Sequence, residues 1–326
     1  MQLPGSLKAL LELLADGRFH SGQELAERLG TDRVGVWKRI SVLRSQGLDI
    51  HAVPGTGYRL SGPLALLDRE LIEQALLAEV KKELAIEFYD RLDSTNAHLL
   101  RRVVEGVPSG TVCLAECQSR GRGRLGREWV SPFSGNVYLS LLWRFGRAGF
   151  SGLSLAVGVA VVRALHAQGV AGVALKWPND ILWNGKKLGG VLIEVSGQEG
   201  GQYAVVIGIG LNLNLPDREA ESIDQEWVDL VRVPGGRGVC RNRLIAAMLN
   251  QLVPILMTYE SSGLAPYLDE WRRFHAFDGA QVCIQQGDRM QWGWVAGVTN
   301  QGLLLLDCED GLRREFASGD VRLRSL

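Results

Sequence analysis

The 326-residue sequence predicts an α+β protein in three parts: a small helical unit with a wing, a central domain built on a mixed sheet, and a small terminal β-barrel. Three observations carry this. The first sixty residues read as three short helices followed by two extended pieces. From about residue 83 strands often follow one another without an intervening helix, which disfavours a strictly alternating doubly wound sheet. From Asp278 onward short strands alternate with Gly, Asn-Gln-Gly and Glu-Asp-Gly turns, as in a barrel of about five strands.

In the first part, Leu7, Leu10, Leu11 and Leu14 recur at helical spacing until Asp16-Gly17 stops the pattern. SGQELAERLG follows, with Ser21 and Glu24 spaced as a capping box and Gly30 at the end. RVGVWKRISVLRSQG then gives a helix with Val36, Ile40 and Leu43 on one side. Helix, tight turn, basic helix and a hairpin around Pro54-Gly55-Thr56-Gly57 is the order of a winged helix-turn-helix, with Arg33, Lys38, Arg39 and Arg44 as candidate DNA contacts. The basic excess over residues 1–60 is slight, eight Lys and Arg against six Asp and Glu, so the order of elements carries more weight than the charge.

Residues 1–62 are therefore expected as the DNA-binding unit and 63–82 as a helical connector. Residues 83–273 are expected as the central domain and 274–326 as the barrel. IEFYDRL, TVCLAEC, NVYLSLLW and YAVVIGIGLNLNL read as central strands, and Ser151 to about Gln168 as one long helix.

Composition narrows the function. Hydrophobic residues make up 46% and charged residues 22%, the balance of a soluble globular protein, and the formal net charge of zero disfavours a surface that coats nucleic acid throughout. The N-terminus lacks a basic segment followed by an apolar run and a small-residue cleavage site, which disfavours secretion, and LSLAVGVAVVRAL is too short for a membrane span. Five scattered cysteines without a CxxC pair fit reduced cytoplasmic thiols and no protein-only metal site. Cys113 and Cys117 read as core thiols, and His20, His51 and His275 as structural or exposed.

Four arginines and three glycines lie within Arg120–Arg127. GRGRLG satisfies the GxGxxG pattern literally, but Pro132 and Gly135 interrupt the helix that a dinucleotide site needs, and no phosphate-loop lysine follows. What remains is a glycine-rich loop whose guanidiniums can grip a carboxylate or phosphate in two-pronged fashion; an arginine-rich RNA-binding loop is the alternative. Ser94, Thr95 and Asn96 cap a helix or bond a ligand. KWPNDILWNGKKLGGVLIE sets Lys176, Asn179 and Asp180 on a proline turn, followed by Lys186 and Lys187, one of which turns inward. GIGLNLN breaks a buried strand with Gly208 and Gly210 and offers Asn212 and Asn214. A site rich in Arg and Lys and poor in nucleophiles suits a transferring phosphoryl or adenylyl group.

Together DSTN (93–96), QSRGRGRLGREWVSPFSGNVYLSLLW (118–143), KWPND (176–180), KKLGGVLIE (186–194) and GIGLNLN (208–214) strongly resemble the biotin–protein ligases. The winged module with VPGTGYRL extends the resemblance to the bacterial type that is also a repressor of biotin synthesis genes. The resemblance implies a central fold like the catalytic domains of class II aminoacyl-tRNA synthetases and an SH3-like C-terminal barrel. It implies synthesis of biotinyl-5′-AMP from biotin and ATP with Mg2+, then transfer to a lysine of the biotin carboxyl carrier protein of acetyl-CoA carboxylase. It also implies operator DNA as a partner, a homodimer promoted by the adenylate, and no membrane.

The same resemblance assigns roles. Arg122 and Lys187 neutralise charge where carboxylate meets phosphate, and Asp180 receives or orients the incoming amine. Arg124 orders the loop and retains the adenylate. Ser94, Thr95, Asn96, Gln118 and Gly121 belong to the biotin pocket, with Gly190 and Gly208 in its walls and Trp129 beside its apolar tunnel. Lys176, Asn179 and Asn212 lie on the nucleotide side, Trp227 stacks on adenine, and Arg324 reaches for the ATP phosphates. Leu125 departs from relatives that carry a further arginine there. The alternatives are a lipoate or octanoyl ligase of the same fold and a ligand-sensing repressor without ligase activity.

Overall fold

The computed structural model describes residues 2–62, 64–147, 149–199 and 201–323. The N-terminal unit contains α1 (Gly5–Leu14), α2 (Gly22–Arg28), α3 (Arg33–Ser45) and the antiparallel hairpin β1 (Ile50–Val53) and β2 (Gly57–Leu60). Its helices start where side chains satisfy free backbone N–H groups: the Ser21 side chain accepts from Glu24 N and the Asp32 side chain from Gly35 N. The apolar stripes read from sequence close one core, with Leu10, Leu14, Leu25, Val36 and Leu43 fully buried. His20 bridges this unit. Its ring nitrogens lie 3.0 Å from Asp16 and from Glu24, and its backbone pairs with Tyr58 in the wing. Burial opposes a charge on this imidazole, yet the two carboxylates outweigh burial and raise its pKa.

The connector is helical in two pieces, α4 (Arg69–Ala75) and α5 (Ala78–Lys81). The central domain runs β3 (Ala85–Leu92), α6 (Thr95–Val104), β4 (Thr111–Gln118), β5 (Asn136–Phe145), α7 (Leu153–Ala167), β6 (Val173–Lys176), β7 (Asp180–Trp183), β8 (Lys186–Glu199), β9 (Gln202–Asn212), α8 (Asp217–Ala220), α9 (Arg241–Ser262) and α10 (Leu268–Phe274). Its seven strands are ordered β3-β4-β5-β9-β8-β7-β6; β3 and β4 are parallel and the other pairs antiparallel. The expected mixed sheet is thus present, wider than the strands named from sequence because β6, β7 and the full length of β8 belong to it.

α7 and α9 pack on one face of this sheet. α7 is apolar almost all round because it is buried almost all round. Arg163, which interrupts its apolar run, donates to both carboxylate oxygens of Glu270 on α10. Among the described residues no helix is long and apolar enough to cross a membrane.

The C-terminal unit is a five-stranded antiparallel sheet of β10 (Gln281–Gln286), β11 (Arg289–Val298), β12 (Leu304–Cys308), β13 (Arg313–Phe316) and β14 (Asp320–Leu323), in the order β13-β12-β11-β10-β14. Val282, Val295, Leu304 and Val321 join the core of the central domain, so the two share one apolar interior. Cys113, Cys117, Cys283 and Cys308 are buried and unpaired, and burial pushes the Cys113 thiol far up, as expected of core thiols.

Candidate active site

The turn from β3 into α6 starts the site. Ser94 caps α6, accepting from Ala97 N, which is the commonplace role for that residue. Thr95 N donates to Gln118 Oε1 at 2.8 Å with Thr95 Oγ1 3.2 Å from the same oxygen, and Ser140 Oγ on β5 lies 2.7 Å from Thr95 Oγ1 and 2.5 Å from Asn96 Oδ1. Asn96 Nδ2 in turn donates to Glu194 Oε2 at 2.9 Å. These buried groups hold one another, so the pocket's polar lining is fixed in advance.

Gly208 serves this network. A Cβ there would lie 2.3 Å from Asn96 Oδ1. Gly210, two residues along the same face of β9, makes room for an aromatic: a Cβ would lie 2.7 Å from the Trp129 ring.

The arginine-rich loop leaves β4 at Gln118 and folds back on itself. Arg122 pairs with Glu128 as an antiparallel bridge, Gly123 N donates to Arg127 O, and Trp129 N donates to Gly121 O. Gly121 does not line the cavity. It is needed inside the loop, where a Cβ would lie 2.3 Å from Trp129 O and 2.4 Å from Ser131 Oγ. Leu125 at the tip takes φ 56°, a left-handed conformation unusual for a residue with a side chain, and is 78% exposed.

The loop's cations point to different anchors. Arg122 Nη2 donates to Glu194 Oε2 at 3.1 Å, and Arg124 Nη1 to Asn179 Oδ1 at 3.4 Å. Arg127 pairs with Asp320 on β14, tying the loop to the C-terminal sheet. Burial lowers the pKa of the Arg124 guanidinium, partly offset by Asp320 and Asp180.

Across the cavity, Asp180 holds two lysines: Lys187 Nζ at 2.8 Å and Lys176 Nζ at 3.6 Å. Of the adjacent pair it is Lys187 that turns inward, while Lys186 is exposed. Lys187 Nζ also lies 5.8 Å from the centre of the Trp129 ring. Its backbone is a second anchor: Lys187 N donates to Glu226 O and its carbonyl accepts from Val228 N. Trp227, between those two, faces the cavity with the Arg232 guanidinium 4.7 Å from its ring centre.

The result is one cavity of about 790 Å³. Ser94, Thr95, Asn96, Gln118, Arg122, Arg124, Trp129, Lys176, Asn179, Asp180, Lys187, Gly190, Gly208, Asn212 and Trp227 all line it. Asn212 is buried, with Nδ2 donating to Val228 O, but Asn214 is exposed and does not reach the cavity. Arg324 lies outside the described residues. Among those described, no group of three or more His, Cys, Asp or Glu could hold a metal.

The candidate DNA contacts divide. Arg33 and Lys38 are exposed and Arg39 is half-buried. Arg44 is exposed as well, and its Nε and Nη2 both donate to Ile50 O, which fastens α3 to the wing.

Comparison with known proteins decides the family. The chain matches the biotin/lipoate A/B protein ligase family over residues 88–212, an HTH domain over 6–59 and the biotin protein ligase C-terminal domain over 282–324. It is 40% identical over 318 residues to the bifunctional ligase/repressor BirA of Salmonella typhimurium, covering 97% of both chains. It is 31% identical to the protein of that name from Bacillus subtilis, over 97% of this chain and 98% of the other. The chain belongs to the family of bifunctional biotin ligase/repressors. The biotin protein ligase from Aquifex aeolicus, solved in complex with biotin and ATP, superposes with a TM-score of 0.62 at 27% identity, over 73% of this chain and 98% of that one.

Sequence reasoning from this ligase family missed several residues of the site. Glu194 was within a quoted motif yet had no role, although it receives both Asn96 and Arg122. Ser140 is a single hydroxyl whose partners, Thr95 and Asn96, lie more than forty residues away, and Ser131, which accepts from Gln118 Nε2, carries no spacing that marks it. Asp320 and Arg322 line the cavity from β14, closer in sequence to the body of the barrel than Arg324.

Proposed function

We propose that the protein is an ATP-dependent biotin–protein ligase and a biotin-responsive repressor of biotin synthesis genes. The observation that carries the reading is the convergence of Arg122, Arg124, Lys176 and Lys187 on one cavity that also holds the neutral Thr95–Gln118 pocket and the Trp227 ring. Cations there let two anions approach, and a bicyclic urea with an acyl tail needs polar partners beside an apolar wall such as Trp129.

In the first step a biotin carboxylate oxygen attacks the α-phosphorus of ATP. The acyl–phosphate bond forms while the bond to the bridging oxygen breaks, and pyrophosphate leaves with that electron pair. Arg122 and Lys187 offset the charge of the two anions; Asp180 orients Lys187, and Arg124 retains the adenylate. Ser94, Thr95, Asn96 and Gln118 hold biotin. Asn179, Asn212 and Lys176 bind the nucleotide, with Trp227 stacking on adenine and Arg324 reaching the phosphates. Magnesium arrives on the triphosphate as part of the substrate; Asp180 and Asp320 already face cationic partners.

In the second step the neutral ε-amine of a carrier-protein lysine attacks the acyl carbon. The amide forms, AMP departs with the electrons of the carbon–oxygen bond, and the amine proton is lost near Asp180. This step speeds up as pH rises and the amine is deprotonated. The carrier is the biotin carboxyl carrier protein of acetyl-CoA carboxylase, in the cytoplasm.

The repressor function follows by linkage. Adenylate tightens a homodimer, which sets two copies of α3 against a palindromic operator. Labelled biotin and lipoate offered separately with ATP and a carrier domain test the ligase reading. Label on the carrier is expected from biotin; label from lipoate alone would assign the site to a lipoate ligase, and label from neither would leave a ligand-sensing repressor.

A further inference from the structure

The solvent face of α3 is unusual for a surface helix. Val36, Ile40 and Leu43 are at most 1% exposed, which fixes the face that looks outward. On it stand Val34, Trp37, Lys38 and Ser41, at i, i+3, i+4 and i+7. Val34 and Trp37 are each 58% exposed. Ser41 spends its hydroxyl on Trp37 O one turn back. This face therefore presents an exposed apolar pair, a valine and an indole ring, beside a lysine.

Charge identifies the partner class. α3 holds Arg33, Lys38, Arg39 and Arg44 and no carboxylate, and the capping Asp32 accepts from Gly35 N. Arg44 is exposed and donates to Ile50 O, Arg33 and Lys38 are exposed, and Arg39 is half-buried with its Nη1 turned into the fold. A cationic, carboxylate-free helix after a tight turn, with a wing beside it, fits a polyanionic groove. The major groove of DNA admits a helix, and its one apolar group is the C5 methyl of thymine.

Resting on the repressor reading, we infer that Val34 and Trp37 read thymine methyl groups in the major groove, and that Lys38 and Arg39 supply phosphate or guanine contacts around them. Sequence discrimination by this protein is then largely apolar at its centre. Replacing thymine by uracil removes the methyl and leaves base pairing unchanged. Gly35, between the two apolar residues, has an internal reason: a Cβ there would lie 2.3 Å from Thr31 Oγ1.

The test uses the full chain saturated with biotin and ATP. A pool of random-sequence duplex DNA is enriched for bound molecules, and the dominant duplex is remade with uracil at each thymine in turn. For the wild type, uracil at one or two positions per bound site is expected to lower affinity about tenfold, in the range of a lost base contact. Trp37→Ala is expected to lower affinity for the all-thymine duplex by about tenfold or more and to make it indifferent to uracil at those same positions. Trp37→Phe falls between the two. An unchanged thermal midpoint for the variants rules out a folding defect, as expected of a side chain this exposed.

Independent, multiplying effects of uracil and Trp37→Ala would overturn the inference, as would wild-type affinity in Trp37→Ala. So would weaker self-association of that variant in sedimentation at unchanged DNA affinity, which would make the face a protein contact. Failure of the wild type to enrich any duplex would overturn the repressor reading itself, a distinct result.

Discussion

Two side chains far apart in role show how this molecule uses burial. The half-buried Lys187 side chain is paired with Asp180 at 2.8 Å. His275 has no such partner among the described residues: it stacks on Trp271 at 4.4 Å, and burial drives its pKa down to about 4, Asp278 opposing. The unfolded chain binds a proton at His275 near pH 6.5 and the folded chain does not until about pH 4. Its contribution is therefore complete above pH 6.5 and is lost as pH falls towards 4, on the order of 3 kcal/mol at most. His275→Gln should flatten the fall in melting temperature between those pH values relative to wild type; parallel curves would show that His275 is solvated. Gly210 makes a sharper test of the pocket. In Gly210→Ala the new methyl meets the Trp129 ring, an overpacking that costs about 1–3 kcal/mol. Equilibrium binding should show biotin affinity lower by about tenfold or more, and wild-type binding would mean that Trp129 does not wall the pocket.

At the scale of elements, the connector is clamped rather than loose. Arg241, at the start of α9, is 2% exposed and donates to Glu116 Oε2 on β4, to Ala65 O and to Ala115 O. Glu116 Oε1 accepts from Leu67 N, and Asn242 exchanges hydrogen bonds with Leu66 O and Asp68 N. The same knot takes in Ser134 at the far end of the arginine-rich loop, which donates to Ala65 O. Arg241→Met leaves Glu116 buried without its cation, a loss of about 3–5 kcal/mol. Urea unfolding should show a midpoint lowered accordingly; an unchanged midpoint would mean the pair is dispensable. None of this clamp was legible in the sequence, since its partners lie 49 to 176 residues apart. What was legible obeyed local rules. The three N-terminal helices announced themselves by apolar spacing and caps, and α9 and the terminal strands by period and turn residues. That one of the two adjacent lysines turns inward followed from strand alternation, and that it is Lys187 followed from the resemblance to the ligase family. The bond from Arg44 to Ile50 O was not legible, because the charge is visible in the sequence and the backbone carbonyl that accepts from it is not.

Across the whole molecule, the loop that carries Arg122 and Arg124 touches every unit. Arg127 pairs with Asp320 of the C-terminal sheet, while Phe133 packs on the core of the N-terminal unit. The N-terminal unit is further pinned to β3, where Leu3 N donates to Asp90 Oδ2 and Arg91 Nη2 donates to Gln46 O at the end of α3. The loop that lines the cavity is thus joined by packing and hydrogen bonds to the unit that carries α3. The central claim is that Lys187 and Arg122 let a carboxylate meet the α-phosphorus in the shared cavity. Exchange of labelled pyrophosphate into ATP, with and without biotin, tests it most directly. Wild-type protein should exchange only when biotin is present, and Lys187→Ala, at an unchanged thermal midpoint, should exchange about 10²–10³ times more slowly. Biotin-independent exchange, or a Lys187→Ala rate near that of the wild type, would contradict it.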